Sequence, residues 1–238
     1  MKSLIIAAGR GKRIPKFTKK IPKCLIKISN KPIIARQIDT FRKNKIKTIA
    51  IVRGFKANKI KFKNIKYFNN LNFLRNDQLD SLFCAKKYFD DDTLVTFSDI
   101  IYDESVLKKI MKSKGSLVLG IEKKWKKRYY KRYDHPLSQA DKVIINKNKI
   151  TKIGKKISSK KASGEFLGMF KVSKKMWKPL FEHYEMIKKK QNTKKLQIHN
   201  FFNYILKYNI KLTPCFTEGR YMEIDTYNDY KIAREIFE

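Results

Sequence analysis

The sequence predicts an α/β fold: a three-layer sandwich with helices on both faces of a mainly parallel mixed central sheet, plus a small antiparallel β insertion. Three observations predict it. Short apolar runs alternate with segments of helical periodicity through the first half of the chain, the pattern of βαβ units. The 238 residues are 42% hydrophobic and 13% aromatic, enough to bury a full core without a metal or disulfide staple. From about residue 122 to 172 the alternation gives way to closely spaced strands and turns. The chain reads as one domain over residues 1–238, with 122–172 as a lid or substrate-side insertion.

Leu4 to Ala8 opens the chain as a buried strand, and Pro32 starts a helix carrying Ile34, Ile38 and Phe41 on one face. Thr48 to Val52 and Ile65 to Phe68 are the next strands. Leu79, Leu82 and Phe83 begin a second helix, followed by strands at Thr93 to Phe97 and Leu117 to Ile121. Val143 to Ile145, Ile150 to Ile153 and Phe166 to Val172 read as a meander. Ile198, Phe201, Phe202, Ile205 and Leu206 mark an amphipathic helix. A strand at Ile210 to Phe216, a second at "YMEID" and a final helix close the chain. Together these make a Rossmann-like sandwich, in which ligands bind beyond the carboxyl ends of the strands.

Composition narrows the function classes. Cys24, Cys84 and Cys215 are far apart, so no zinc or redox motif is formed and reduced thiols in a cytoplasmic protein are expected. No apolar run approaches a membrane span, and the first one is too short for a signal peptide. The 57 Lys and Arg against 21 Asp and Glu give +36. That charge would suit a nucleic acid or another polyanion. The lysines are spread along the chain with Ile and Asn, however, and form no block, which favours a compositional bias. The cations that matter are those beside glycines at strand ends.

One such place is "AAGRGKR". Gly9 and Gly11 follow the first strand, which ends at Ala7 and Ala8; there backbone N–H groups can close on phosphate oxygens, and Arg10, Lys12 and Arg13 add charge. Ile14 stands where the dinucleotide fingerprint needs its third glycine, and no P-loop is present. Alone, the GxG fits a simple turn equally well. Two carboxylate sites also fall at strand ends: Ser98-Asp99, and Glu223 with Asp225, which share one face of a strand. Such oxygens suit Mg²⁺, and either aspartate also suits a helix cap.

The loop Gly9 to Ile14, Thr18 and "PKCL" (Pro22 to Leu25) together resemble the signature of the nucleotidyltransferases, as does the late "EIDT" from Glu223 to Thr226. That family includes sugar-1-phosphate nucleotidyltransferases and phosphocholine cytidylyltransferases. "DSLFCA", Trp125, Arg132, "HPLSQADKV" and Gly164 to Met169 resemble the phosphocholine and aminoethylphosphonate branch, with Asp77 or Asn76 where that branch has Asn.

The resemblance implies a Mg²⁺-dependent transfer of CMP from CTP to a small anionic phospho- or phosphono-acceptor, with pyrophosphate released, in the decoration of surface glycans or lipids. It implies Lys23 and Arg13 as catalytic cations and Asp99 and Asp225 as metal ligands. The nucleotide falls to Ala7, Ala8, Gly9, Gly11, Lys12, Arg13, Asp77, Ser81 and Ser98. The acceptor falls to Lys23, Arg132, Glu165, Tyr221 and Glu223.

Trp125, Tyr129, Tyr130 and Tyr133 could box a quaternary ammonium, but fit a lid or core better. A sugar-1-phosphate nucleotidyltransferase is the alternative, and a basic nucleic-acid-binding protein a second one that the acids at strand ends argue against. No membrane partner is expected, and a homodimer stays open.

Overall fold

The computed structural model describes residues 1–75, 77–190 and 196–238. The elements, in chain order, begin with β1 (Lys2–Ala7), α1 (Pro15–Thr18), β2 (Lys27–Ile28), β3 (Lys31–Pro32), α2 (Ile33–Lys43), β4 (Ile49–Arg53) and β5 (Lys66–Asn69). They continue with α3 (Gln78–Phe83), β6 (Thr93–Phe97), β7 (Ile100–Tyr102), α4 (Glu104–Lys112), β8 (Leu117–Glu122), β9 (Lys142–Asn146) and β10 (Lys149–Gly154). The chain ends with β11 (Gly164–Val172), α5 (Trp177–Lys190), α6 (Ile198–Leu206), β12 (Thr213–Thr217), β13 (Tyr221–Glu223) and α7 (Tyr227–Phe237).

Among the described residues nine strands form one mixed sheet. Its path runs β10-β9-β11-β6-β1-β4-β5, with β8 beside β11 and β12 beside β8. Strands β6, β1, β4 and β5 are parallel, and β11 runs antiparallel to β6, β8 and β9. Alternation along β1 builds the three layers. Leu4 and Ile6 pack with α3 and α6 through Leu79, Phe83 and Phe201. Ile5 and Ala7 point to the other face and pack with Ile34, Ile38 and Phe41 of α2 and with Val106, Leu107 and Ile110 of α4. Each fully buried Ile or Leu contributes about 1.5–3 kcal/mol relative to exposure.

The stretch expected as an insertion divides in two. Strand β11 belongs to the main sheet and is buried at all nine residues. A strand in mid-sheet and one in a meander carry the same apolar run, so sequence does not separate them. Before it, β9 and β10 extend the main sheet beyond β11 and place Val143, Ile150 and Ile153 in the main core, while residues 125–140 build a satellite core of Trp125, Tyr129 and Ala140 and leave Tyr130 and Tyr133 exposed.

A third apolar cluster positions the site. Ile14, Ile26, Ile28 and Ile33 from the opening segments pack against Met222, Ile224 and Ile232 from the end of the chain. This contact brings the opening loop to the last strand and helix.

Candidate active site

The glycine loop leaves β1 and turns over the end of the sheet. Gly11 has φ +64, and a Cβ there would meet Lys23 Cβ and Thr18 Cγ2 at 3.0 Å. Thr18 locks the turn by donating to the Gly11 carbonyl at 2.9 Å. Only glycine lets the loop lie against the Lys23 stem in this conformation.

Asp99 is held from behind by Gln37, a buried residue that sequence reasoning did not single out. Its Nε2 donates to the carbonyls of Phe97 at 2.9 Å and Ile100 at 2.7 Å, and its Oε1 accepts from Thr96 Oγ1 at 2.8 Å. The Ile224 N–H donates to the Asp99 carbonyl at 2.9 Å. Strand β13 pairs with β7, so Asp225 emerges beside Asp99.

Lys23 joins the two acids. Its Nζ donates to Asp99 Oδ2 at 2.7 Å and to Asp225 Oδ1. Arg13 Nη2 reaches Asp225 Oδ2 at 2.5 Å. Burial would lower the Lys23 ammonium, but the charges of Asp225, Asp99 and Glu223 outweigh it and hold it above its ordinary value. Burial likewise opposes ionisation of Asp225, yet Lys23 and Arg13 hold it below its ordinary value. Glu223 is pushed well above the usual carboxylate range by burial, then by Asp225 and Asp99. Cys24 also lines the site; burial and Asp99 push its thiol up to about 12, so it is no nucleophile.

The carboxylates suit a hard cation. Asp99 Oδ1 is buried with no hydrogen-bond partner among the described residues. Ligand atoms of His135, Glu223 and Asp225 lie within 4.8 Å of one another. The ammonium of Lys23 already places positive charge between the two aspartates expected as ligands.

Behind this centre lies a buried network. Asp229 caps α7 with Thr226, and its Oδ2 accepts from the N–H groups of Asp225 at 3.0 Å and Thr226 at 2.9 Å. Arg132 Nε donates to Asp229 Oδ1 at 2.7 Å, and its Nη2 lies 2.8 Å from His135 Nδ1. A guanidinium can only donate, so Nδ1 accepts and the imidazole proton sits on Nε2.

One cleft of about 360 Å³ collects these groups. Every residue expected to serve catalysis, the metal, the nucleotide or the acceptor lines it except Arg132, which is 2% exposed and spends its charge on Asp229. Arg132 therefore holds the wall and does not line the cleft. Asp77 caps α3 with Asp80, and Ser81 Oγ accepts from Asn70 Nδ2 at 2.9 Å. Asn76 lies outside the described residues. Glu165 is buried, held by Arg128 and by Tyr129 Oη at 2.5 Å. Tyr221 Oη donates to the Leu167 carbonyl at 2.8 Å. The cleft also takes in Phe73, His135, Gln139, Asp141 and Lys155, which sequence reasoning gave no role. For three of them the signal was the "HPLSQAD" stretch.

Residues 3–149 match the model of the MobA-like NTP transferase domain. The chain belongs to this family. A MobA-like NTP transferase moves a nucleotidyl group, so this chain is a nucleotidyltransferase, and a site of cations interleaved with carboxylates is what two anionic reactants require. Among curated proteins, a similar relative is the CTP:phosphoglutamine cytidylyltransferase of Campylobacter jejuni. It is 27% identical over 99% of this chain and 100% of its own length. Among solved structures, the CTP:phosphocholine cytidylyltransferase from Streptococcus pneumoniae superposes with a TM-score of 0.78 at 18% identity, covering 100% of this chain and 99% of that one. The inositol-1-phosphate CTP transferase from T. maritima gives 0.77 at 19% identity, covering 100% and 96%. At these identities the two structures bear on the fold, which they share with this NTP transferase. No helix among its described residues is long and apolar enough to cross a membrane.

Proposed function

We propose that the protein is a Mg²⁺-dependent cytidylyltransferase that transfers CMP from CTP to a small phosphorylated or phosphonate acceptor and releases pyrophosphate. The observation that carries the reaction type is Lys23, buried between Asp99 and Asp225 beside the glycine loop. The choice of CTP leans on the full-length relative that uses it.

The acceptor oxygen is already anionic, so no general base is needed. The barrier is bringing two polyanions into line, and catalysis is positioning plus charge neutralisation. The glycine loop and Lys12 hold the triphosphate. Arg13, half of whose side chain is exposed, bears on the departing β- and γ-phosphates. Lys23 neutralises charge that develops at the α-phosphate as the acceptor oxygen attacks. Asp99, Asp225 and Glu223 would hold the metal ion, which when bound supplies charge neutralisation and a template for both phosphates. The segment before β11 forms the acceptor-side wall of a single working domain. The enzyme would act in the cytoplasm on route to surface glycans or lipids.

The test is a panel of the four nucleoside triphosphates crossed with phosphocholine, aminoethylphosphonate, phosphoglutamine and sugar phosphates, read by pyrophosphate release. CTP with one of the first three acceptors should dominate, and Lys23→Ala or Asp225→Ala should abolish release. Release confined to sugar phosphates, or undiminished in either variant, would reject the assignment.

A further inference from the structure

The order of strands in the sheet gives the order of subsites along the cleft. Phe73 and Asp77 follow β5, the glycine loop follows β1, Asp99 follows β6, and Glu165 lies on β11. Beyond β11 come β9 and β10, and there the register is informative. Lys142, at the start of β9, pairs with Glu165 of β11 on one side and with Gly154 of β10 on the other. Asp141 and Lys155, the next residues along, therefore stand together at the end farthest from the nucleotide loop. Both line the cleft.

This corner is built. Lys142 is 1% exposed and turns its ammonium back to the carbonyls of Leu137 at 3.1 Å, Ala140 at 3.2 Å and Ser138 at 3.4 Å. That fixes the turn which presents Gln139. His199 Nδ1 lies 3.0 Å from Asp141 Oδ1, and a Cβ on Gly154 would touch the same imidazole at 3.3 Å. One buried ring thus seats both the acid and the residue preceding the lysine.

Among the described residues Lys155 makes no ion pair; its Nζ lies 3.4 Å from Gln139 Oε1. The neighbouring Glu165 is already satisfied by Arg128 and Tyr129. What remains for a ligand is the Asp141 carboxylate, one oxygen of which faces His199, and the Lys155 ammonium with the Gln139 amide beside it.

We infer that this corner reads the α-amino acid head group of the acceptor, with Asp141 taking the ammonium and Lys155, helped by Gln139, taking the carboxylate. The inference rests on the CMP-transfer reading and names its acceptor class: a phosphorylated amino acid or amino-acid amide. A choline-type acceptor has no carboxylate and would set its quaternary ammonium against Lys155, so the same corner rejects it.

Three acceptors test this with the wild-type enzyme and CTP: phosphoglutamine, the same compound without its α-carboxylate, and the same compound without its α-amine. Each deletion should lower kcat/KM by roughly 10–100-fold, as expected when a charged partner is left unmet. In Lys155→Met the penalty for lacking the carboxylate should vanish while that for lacking the amine persists; Asp141→Asn should show the reverse. Equal turnover of the three compounds, turnover of phosphocholine matching that of phosphoglutamine, or penalties unchanged in the variants overturns the inference and leaves CMP transfer standing. No pyrophosphate release with any acceptor overturns both.

Discussion

Lys23→Met probes the electrostatic centre with little change in packing, because methionine keeps most of the stem beside Gly11 and removes the charge. The ammonium lies 2.7 Å from Asp99 Oδ2 and also binds Asp225 Oδ1. At an effective dielectric of ~20, one pair at that distance is about 6 kcal/mol of gross attraction. Desolvation cancels much of it, and truncating one member of a buried pair costs about 3–5 kcal/mol. The lower end applies, since Arg13 still pairs with Asp225 and Glu223 can take a proton. A loss of about 3 kcal/mol in a chain of this length lowers Tm by about 6–12 °C. The assay is a thermal melt near neutral pH without divalent ions. The sign with pH follows from Asp225. Its folded pKa is depressed, so its contribution is present above the ordinary 3.8 and is lost as pH falls through the folded value. Without the ammonium that depression shrinks, so the stabilities of variant and wild type should differ fully near neutrality and converge in acid. Millimolar Mg²⁺ should recover part of the lost Tm, and turnover should fall by about 10²–10³-fold. A Tm within about 2 °C of wild type, with full turnover, would refute the argument.

Gly11→Ala places a Cβ at φ +64 against Lys23 and Thr18; it should cost about 1–3 kcal/mol of stability by chemical denaturation and lower kcat more than it raises KM for CTP. Asp229→Asn removes a carboxylate that Arg132 and the backbone N–H of Asp225 hold below its ordinary range despite burial. The wild type should lose stability as pH falls below the ordinary 3.8, and the variant should show a flatter profile there with about 3 kcal/mol less stability at neutral pH. His135 accepts at Nδ1 from Arg132, which leaves Nε2–H for the cleft. His135→Gln, whose amide nitrogen falls near Nε2, should therefore retain more kcat/KM for the acceptor than His135→Asn, and equal losses would contradict the tautomer.

The layers were legible because β1, α2 and α6 carry clean periods: Leu4 and Ile6 against Ile5 and Ala7, and Ile34, Ile38 and Phe41 in line. The first half of the site was legible for a related reason. Gly11, Lys23 and Asp99 each sit just past a strand or in a short motif, where local sequence and position agree. Long-range pairing was not legible. Nothing in "PKCL" or "EIDT" shows that Lys23 bonds Asp225, because the contact comes from β13 pairing with β7 and from Ile14 packing on Met222. Arg132 shows the opposite failure. Its type suits an anionic acceptor, but Asp229, one turn beyond the motif, captures it in the interior. Asp141 and Lys155 look like surface charges in sequence and become neighbours only through the register of three adjacent strands.

The net charge of +36 conceals an inversion at the cleft. Six of the chain's 21 acids line it, Asp77, Asp99, Asp141, Glu165, Glu223 and Asp225, against four cations, Lys12, Arg13, Lys23 and Lys155. The molecule as a whole draws polyanions toward it, with a reach set by ionic strength. The cleft offers a bare triphosphate little free positive charge, because two of its cations are already bound to Asp99 and Asp225. On the proposed reaction a divalent ion arriving with the nucleotide would change that balance, because Asp99 and Asp225 would hold it and Lys23 and Arg13 would be free for the phosphates. Lys23 would then be an internal stand-in for the metal, keeping the acids together until the charged pair that replaces it arrives, and one lysine would serve stability and catalysis in turn.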